Sequence, residues 1–162
     1  ENKSYSDLTH RRGVFMVDDT FYVIVDEAYG TAADVPVNVS FHLCEGAAKV
    51  DSNPASRAYG LHTEFSDGND MLLRTFAETA AGYTPETGMS KCSIKLNTCF
   101  ERPYYRVTVD KTSASDVCRF ITVICPSRSA EISTSFDSAF SQNSSSATVT
   151  IDGRTYKLRY QL

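Results

Sequence analysis

The chain predicts an all-β fold: an antiparallel β-sandwich of many short strands with little or no helix. Three observations carry this. Apolar, β-branched runs recur about every ten residues. Clusters of turn formers separate them. No stretch holds the i, i+3, i+4 spacing of an amphipathic helix. At 162 residues the chain fits one domain, 1–162, able to bury roughly two-thirds of its unfolded surface.

The first two strands flank Asp18-Asp19-Thr20, an acidic cluster where a reversal is expected. Residues 35–43 alternate cleanly, with Val35, Val37, Val39, Phe41 and Leu43 on one face and Pro36, Asn38, Ser40 and His42 on the other. Pro36 points to a sheet edge or to the entry of a strand. Residues 57–65 and 71–76 read as strands around the turn formers Ser66-Asp67-Gly68-Asn69-Asp70. Residues 77–90 are the least regular. Ala77 to Ala81 could form a single helical turn, which Gly82, Pro85 and Gly88 would stop. Strands resume over 91–96, 104–109 and 117–125, the last so continuously apolar that both its faces should be covered. The Ser-rich stretch 127–146 reads as a surface excursion with one short strand near Thr134 to Phe136. A hairpin around Asp152-Gly153, suited to a type I′ turn, closes the chain. Val14, Met16, Val23, Val25, Val39, Phe41, Ile121, Val123 and Ile124 are the expected inward positions. Asp18, Asp19, Asp110 and Asp152 read as turn residues.

Composition narrows the function classes. A net charge of −4, with no dense Lys/Arg run, argues against nucleic acid as a partner. No apolar run approaches the ~18 residues of a membrane span. The chain opens on Glu-Asn-Lys-Ser, so a mature, trimmed or excised segment is expected. The five cysteines (Cys44, Cys92, Cys99, Cys118, Cys125) include no Cys-x-x-Cys pair, which weakens zinc-ribbon and thioredoxin-like readings. Cys118 and Cys125 border an apolar run, where a thiol serves as a small buried hydrophobe.

The densest cationic site is His10-Arg11-Arg12 at the start of a strand, where His10 and Arg12 share one face and Arg11 takes the other. Two guanidiniums suit sulfate or carboxylate, because the planar fork bonds two oxygens at once. The competing reading, given more weight, pairs them with Asp7, Asp26 or Glu27 inside the sandwich. A second cluster, Arg102-Pro103-Tyr104-Tyr105-Arg106, offers Tyr104 and Tyr105 for stacking on sugars, against ordinary surface packing. His10, His42 and His62 with Asp26 match no local metal motif, so no metal site is expected. No catalytic residue is expected either. Paired glycosidase carboxylates, Gly-x-Ser-x-Gly and phosphate-binding glycine loops are all missing from the sequence. The sequons at Asn2, Asn38 and Asn143 read as chance.

The runs Leu8-Thr9-His10-Arg11-Arg12, Val14-Phe15-Met16-Val17-Asp18 and Phe21-Tyr22-Val23-Ile24-Val25-Asp26-Glu27 resemble the C-terminal β-sandwich of heparinase II/III-type polysaccharide lyases, the heparan-sulfate lyases most closely. A looser likeness continues through Tyr59 to Phe65, Leu72 to Phe76, Arg119 to Pro126 and the final hairpin. The resemblance implies an α/α toroid upstream in the same polypeptide. It implies cleavage of uronate-containing glycosaminoglycan by β-elimination, with Asn neutralising the carboxylate and Tyr and His as acid and base. It implies that these groups, and any divalent metal, lie upstream, since no His-x-His or Gln-Pro-Asp-Asn-Gly-like stretch occurs here. No cofactor is expected in this chain, which alone would be inactive. The implied partners are the toroid and heparan sulfate or heparin, and the implied location is the bacterial periplasm or exterior. A free-standing carbohydrate-binding or cell-surface adhesion sandwich is the alternative.

Overall fold

A computed structural model describes residues 2–44, 46–127, 129–136 and 140–162, with their side chains apart from those of 2–5 and 92–95. The strands are β1 (Asn2–Tyr5), β2 (Leu8–Val17), β3 (Phe21–Tyr29), β4 (Val35–His42), β5 (Ala47–Asn53), β6 (Ala58–Glu64) and β7 (Leu72–Ala77). They continue as β8 (Thr84–Lys95), β9 (Thr98–Lys111), β10 (Cys118–Cys125), β11 (Ile132–Phe136), β12 (Ser144–Ile151) and β13 (Arg154–Gln161). A single 3₁₀ turn, Pro54–Ser56, is the one helical element among the described residues.

Three antiparallel sheets result. A seven-stranded sheet, β1-β2-β3-β10-β7-β6-β5, carries β4-β9-β8 on one face and β11-β12-β13 on the other. The apolar run of β10 fills both seams, as its composition predicts. Ile121 and Val123 join Val23, Val25, Val149 and Ile151 in one core. Their neighbours Cys118 and Phe120 turn the other way to meet Val37, Val39, Tyr105, Val107 and Val109. With successive side chains pointing to opposite faces, such a strand is apolar on both, and its two buried polar residues are bonded, Thr122 to Thr75 and Arg119 to Glu78.

The turns follow their chemistry. Asp18 and Asp19 both sit at φ 50°, the hand that a type I′ turn demands, and Thr20 N–H donates to the Val17 carbonyl at 3.0 Å. Asp152 (φ 47°) and Gly153 (φ 80°) close the last hairpin with Ile151 opposite Arg154.

Several expectations are corrected. No helical turn forms at 77–81, because Ala77 ends β7 in ladder contact with Phe120. Pro85 and Gly88 lie within β8, which is tolerable because β8 is a sheet edge with one unpaired side. Asp110 is a strand residue opposite Pro36, so its carboxylate belongs to no turn. β5 carries no strand signature, because its sequence, Ala-Ala-Lys-Val-Asp-Ser-Asn, is too polar, yet it suffices at an edge. Val14 and Met16 face outward, at 60% and 56% exposure, while Val17 is buried and Phe15 packs against that core. Phe41 and Ile124 are only partly buried, whereas Val23, Val25, Val39, Ile121 and Val123 are core.

Cys44, Cys99, Cys118 and Cys125 are free thiols. Cys92 falls outside the described side chains. Burial pushes the Cys118 thiol up to about 11, which keeps it protonated and unreactive at neutral pH. No helix among the described residues is long and apolar enough to cross a membrane.

Candidate functional site

The β2–β3 hairpin places the cationic cluster. Its register sets Arg12 opposite Asp26 and Arg11 opposite Glu27, with His10 opposite Ala28. Directly opposed residues share a face, so each arginine meets a carboxylate, and the two pairs emerge on opposite sides of the central sheet.

Arg11 enters the seam beneath β11-β12-β13. It is 2% exposed, as is Glu27. Its Nε donates to Glu27 Oε2 at 2.7 Å, Nη1 to the Gln142 carbonyl at 2.5 Å, and Nη2 to the Ser141 and Ser144 carbonyls at 2.7 and 3.1 Å. Ser145 Oγ completes the carboxylate at 2.8 Å. The rings of Tyr29, Phe140 and Tyr160 surround the guanidinium at 5.7, 5.1 and 5.7 Å. Every polar edge is occupied, so Arg11 is a clamp between sheets and presents nothing to a ligand. That corrects its placement among substrate contacts.

Arg12 and His10 lie on the other face and share one buried acceptor. Arg12 Nε and Nη2 reach Asp26 Oδ1 and Oδ2 at 2.7 and 3.0 Å, and His10 Nε2 lies 2.7 Å from Oδ1. Asp26 is 2% exposed at its side chain, but Arg12 and His10 keep 42% and 41%. Both border a groove of about 850 Å³ between the central sheet and the free edge of β4, whose far wall includes Pro36, Asn38 and Ser40. The Arg12 guanidinium also overlies Phe41 at 5.9 Å. An exposed cation held in place by a buried carboxylate is pre-oriented, so an anionic group meets a donor already ordered.

The two tyrosines separate. Tyr105 is wholly buried, with Oη 2.9 Å from Thr75 Oγ1 and its ring stacked on Phe41 at 5.5 Å. Burial raises its phenol strongly, and it is core, not a sugar platform. Tyr104 faces outward on β9, where Ser40, Arg106 and Glu86 align across the sheet and His42 lies beside it. Arg106 bridges Glu86 (3.2 Å) and Ser40 Oγ (2.9 Å), with its guanidinium 5.9 Å from the Tyr104 ring.

The predicted cluster thus divides among a buried clamp, a groove rim, a core position and an outer sheet face. His62 lies 3.9 Å from Glu64, remote in partnership from His10, and His42 pairs with Tyr104. Among the described residues no group of three His, Cys, Asp or Glu side chains is placed to hold an ion. Sequence reasoning missed the groove's second wall, because β4 signals an edge strand through Pro36 without saying which strand it opposes.

Comparison with known proteins adds the family. The chain is 40% identical over its whole length to a heparin-sulfate lyase of Bacteroides thetaiotaomicron, of which it spans 23%. It is 31% identical, again over its whole length, to a heparin-sulfate lyase of Bacteroides stercoris, of which it spans 24%. A crystal structure of heparinase III superposes with a TM-score of 0.86 at 37% identity, covering 99% of this chain and 25% of that one. No protein-family model matches. The chain therefore spans about a quarter of the length of the curated relatives it matches. Whole-length identity and shared fold place it in the heparinase III-type heparin-sulfate lyase family, as the counterpart of the β-sandwich that forms their C-terminal part.

Proposed function

We propose that this chain is the accessory β-sandwich of a bacterial heparan-sulfate lyase, periplasmic or secreted, and contains none of the catalytic groups. The lyase cleaves uronate-containing glycosaminoglycan by β-elimination, and the acid, the base and any divalent metal reside in a preceding toroidal region of the same polypeptide. The observation that carries this is the whole-length match to about a quarter of a heparin-sulfate lyase. The disposition of charge supports it. Nearly all the concentrated chemistry of this chain is spent internally, on Arg11–Glu27 and on the carboxylate of Asp26. The test uses heparan sulfate and the ultraviolet absorbance of the unsaturated uronate product. The full-length protein should generate it and this chain alone should not; robust turnover by the chain alone would refute the assignment.

Arg12 and His10 are the residues through which the domain touches acidic glycan. Arg12→Lys keeps the charge but loses the two-toothed geometry. In the full-length lyase KM for heparan sulfate should rise about tenfold, equivalent to one charge-assisted hydrogen bond of about 1.5 kcal/mol. The pair is half-exposed, so Tm should fall by no more than about 2–4 °C. A larger fall in Tm with KM unmoved assigns Arg12 to the fold alone.

A further inference from the structure

The even-numbered face of β2 carries His10, Arg12, Val14 and Met16 in line, so the groove rim runs directly into an apolar strip. Met16 lies opposite Tyr22, Tyr22 opposite Ile124, and Val14 opposite Ile24. This row continues across the sheet through Leu73 and Leu61, which are buried. At the β2 corner the cover stops: Val14 is 60% exposed, Met16 56% and Tyr22 41%. Adjacent large apolar side chains left open on one sheet face signal an interaction surface, in a way that scattered ones do not. The backbone agrees. β1 pairs with β2 only near Leu8 and His10, and among the described residues no strand pairs with the outer edge of β2 from Arg12 to Val17. An open, apolar edge is a hazard that proteins usually cover.

The direction of β1 suggests what covers it. β1 runs antiparallel to β2, with Tyr5 opposite Leu8 and Asn2 opposite His10. Polypeptide preceding β1 in a longer lyase is therefore aimed past Arg12 toward Val14 and Met16. The curated relatives supply such polypeptide in quantity, since this chain accounts for only 23–24% of them. We propose that Val14, Met16 and Tyr22, with the open edge of β2, form the seat on which the preceding region of the lyase packs. The proposal rests on the lyase assignment made above. It also places the seam between the two regions beside Arg12 and His10, so that the groove borders both.

Peroxide oxidation of Met16, followed by peptide mass spectrometry on the full-length protein, tests this. A thioether open to solvent oxidises readily, and a covered one does not. In a full-length protein that cleaves heparan sulfate, Met16 should oxidise at least tenfold more slowly than in the same protein unfolded in urea. A Met16 rate within twofold of the unfolded one, in an enzyme that turns over, overturns the seat and leaves the lyase assignment standing. Protection lost on dilution, together with dissociation seen by sedimentation, assigns the strip to a second copy and also overturns it. A full-length protein that yields no unsaturated product removes the assignment and the seat with it.

Discussion

Replacing Arg11 by Ala should cost the domain about 3–5 kcal/mol, read as a lower midpoint of urea unfolding with little change in slope. The size follows from what is left behind. Glu27 stays at 2% exposure with the Ser145 hydroxyl on its carboxylate and, opposite it on β10, Arg119, whose guanidinium is engaged by Glu78. The carbonyls of Ser141, Gln142 and Ser144 lose the guanidinium together, the first keeping only the weak Ser144 N–H contact at 3.4 Å. An unpaired buried charge is far more expensive than the pair is stabilising. The double variant Arg11→Met with Glu27→Leu, which removes both charges and keeps apolar volume, should therefore recover most of the loss. A single-variant cost below about 1 kcal/mol would mean that water reaches Glu27 and that the clamp is dispensable.

Much of this arrangement was legible in the sequence. Once Asp18-Asp19-Thr20 is a turn joining Val17 to Phe21, stepping outward sets Arg12 against Asp26 and Arg11 against Glu27. The internal ion pairs that outweighed glycan contact at the sequence level follow from that count alone. The final hairpin was legible for a similar reason, because Asp-Gly tolerates the positive φ of the turn. The outward face of β2 was not. Phe15 and Val17 alternate with Val14 and Met16, so both faces read as apolar and the period of two cannot choose between them. The choice is made by β12 and β13, which arrive more than a hundred residues later and cover one side only. The two-layer expectation also lacked the third sheet. Only the near-continuous apolar run of β10 hinted at cover on both faces, and it could not say which strands supplied it.

The tyrosine pair gives the second large effect. Tyr105→Ala should destabilise the domain by about 3–5 kcal/mol, the usual cost of emptying a wholly buried aromatic site. The ring is 0% exposed, stacks on Phe41 and meets Tyr59 edge-on at 6.4 Å, so its removal opens the seam between β9 and the central sheet. Tyr105→Phe isolates the hydroxyl. Thr75 keeps its 2.8 Å bond to Thr122 when the phenol is gone, so that change should cost only about 1 kcal/mol. Tyr104→Ala, on the exposed side of the same strand, should move stability by no more than about half a kcal/mol. These three values separate a core role from sugar stacking. If Tyr105→Ala instead left the unfolding midpoint in place and raised KM for heparan sulfate in the full-length lyase, the side chain would have to reach the surface. The facing of β9 toward the central sheet would then be wrong.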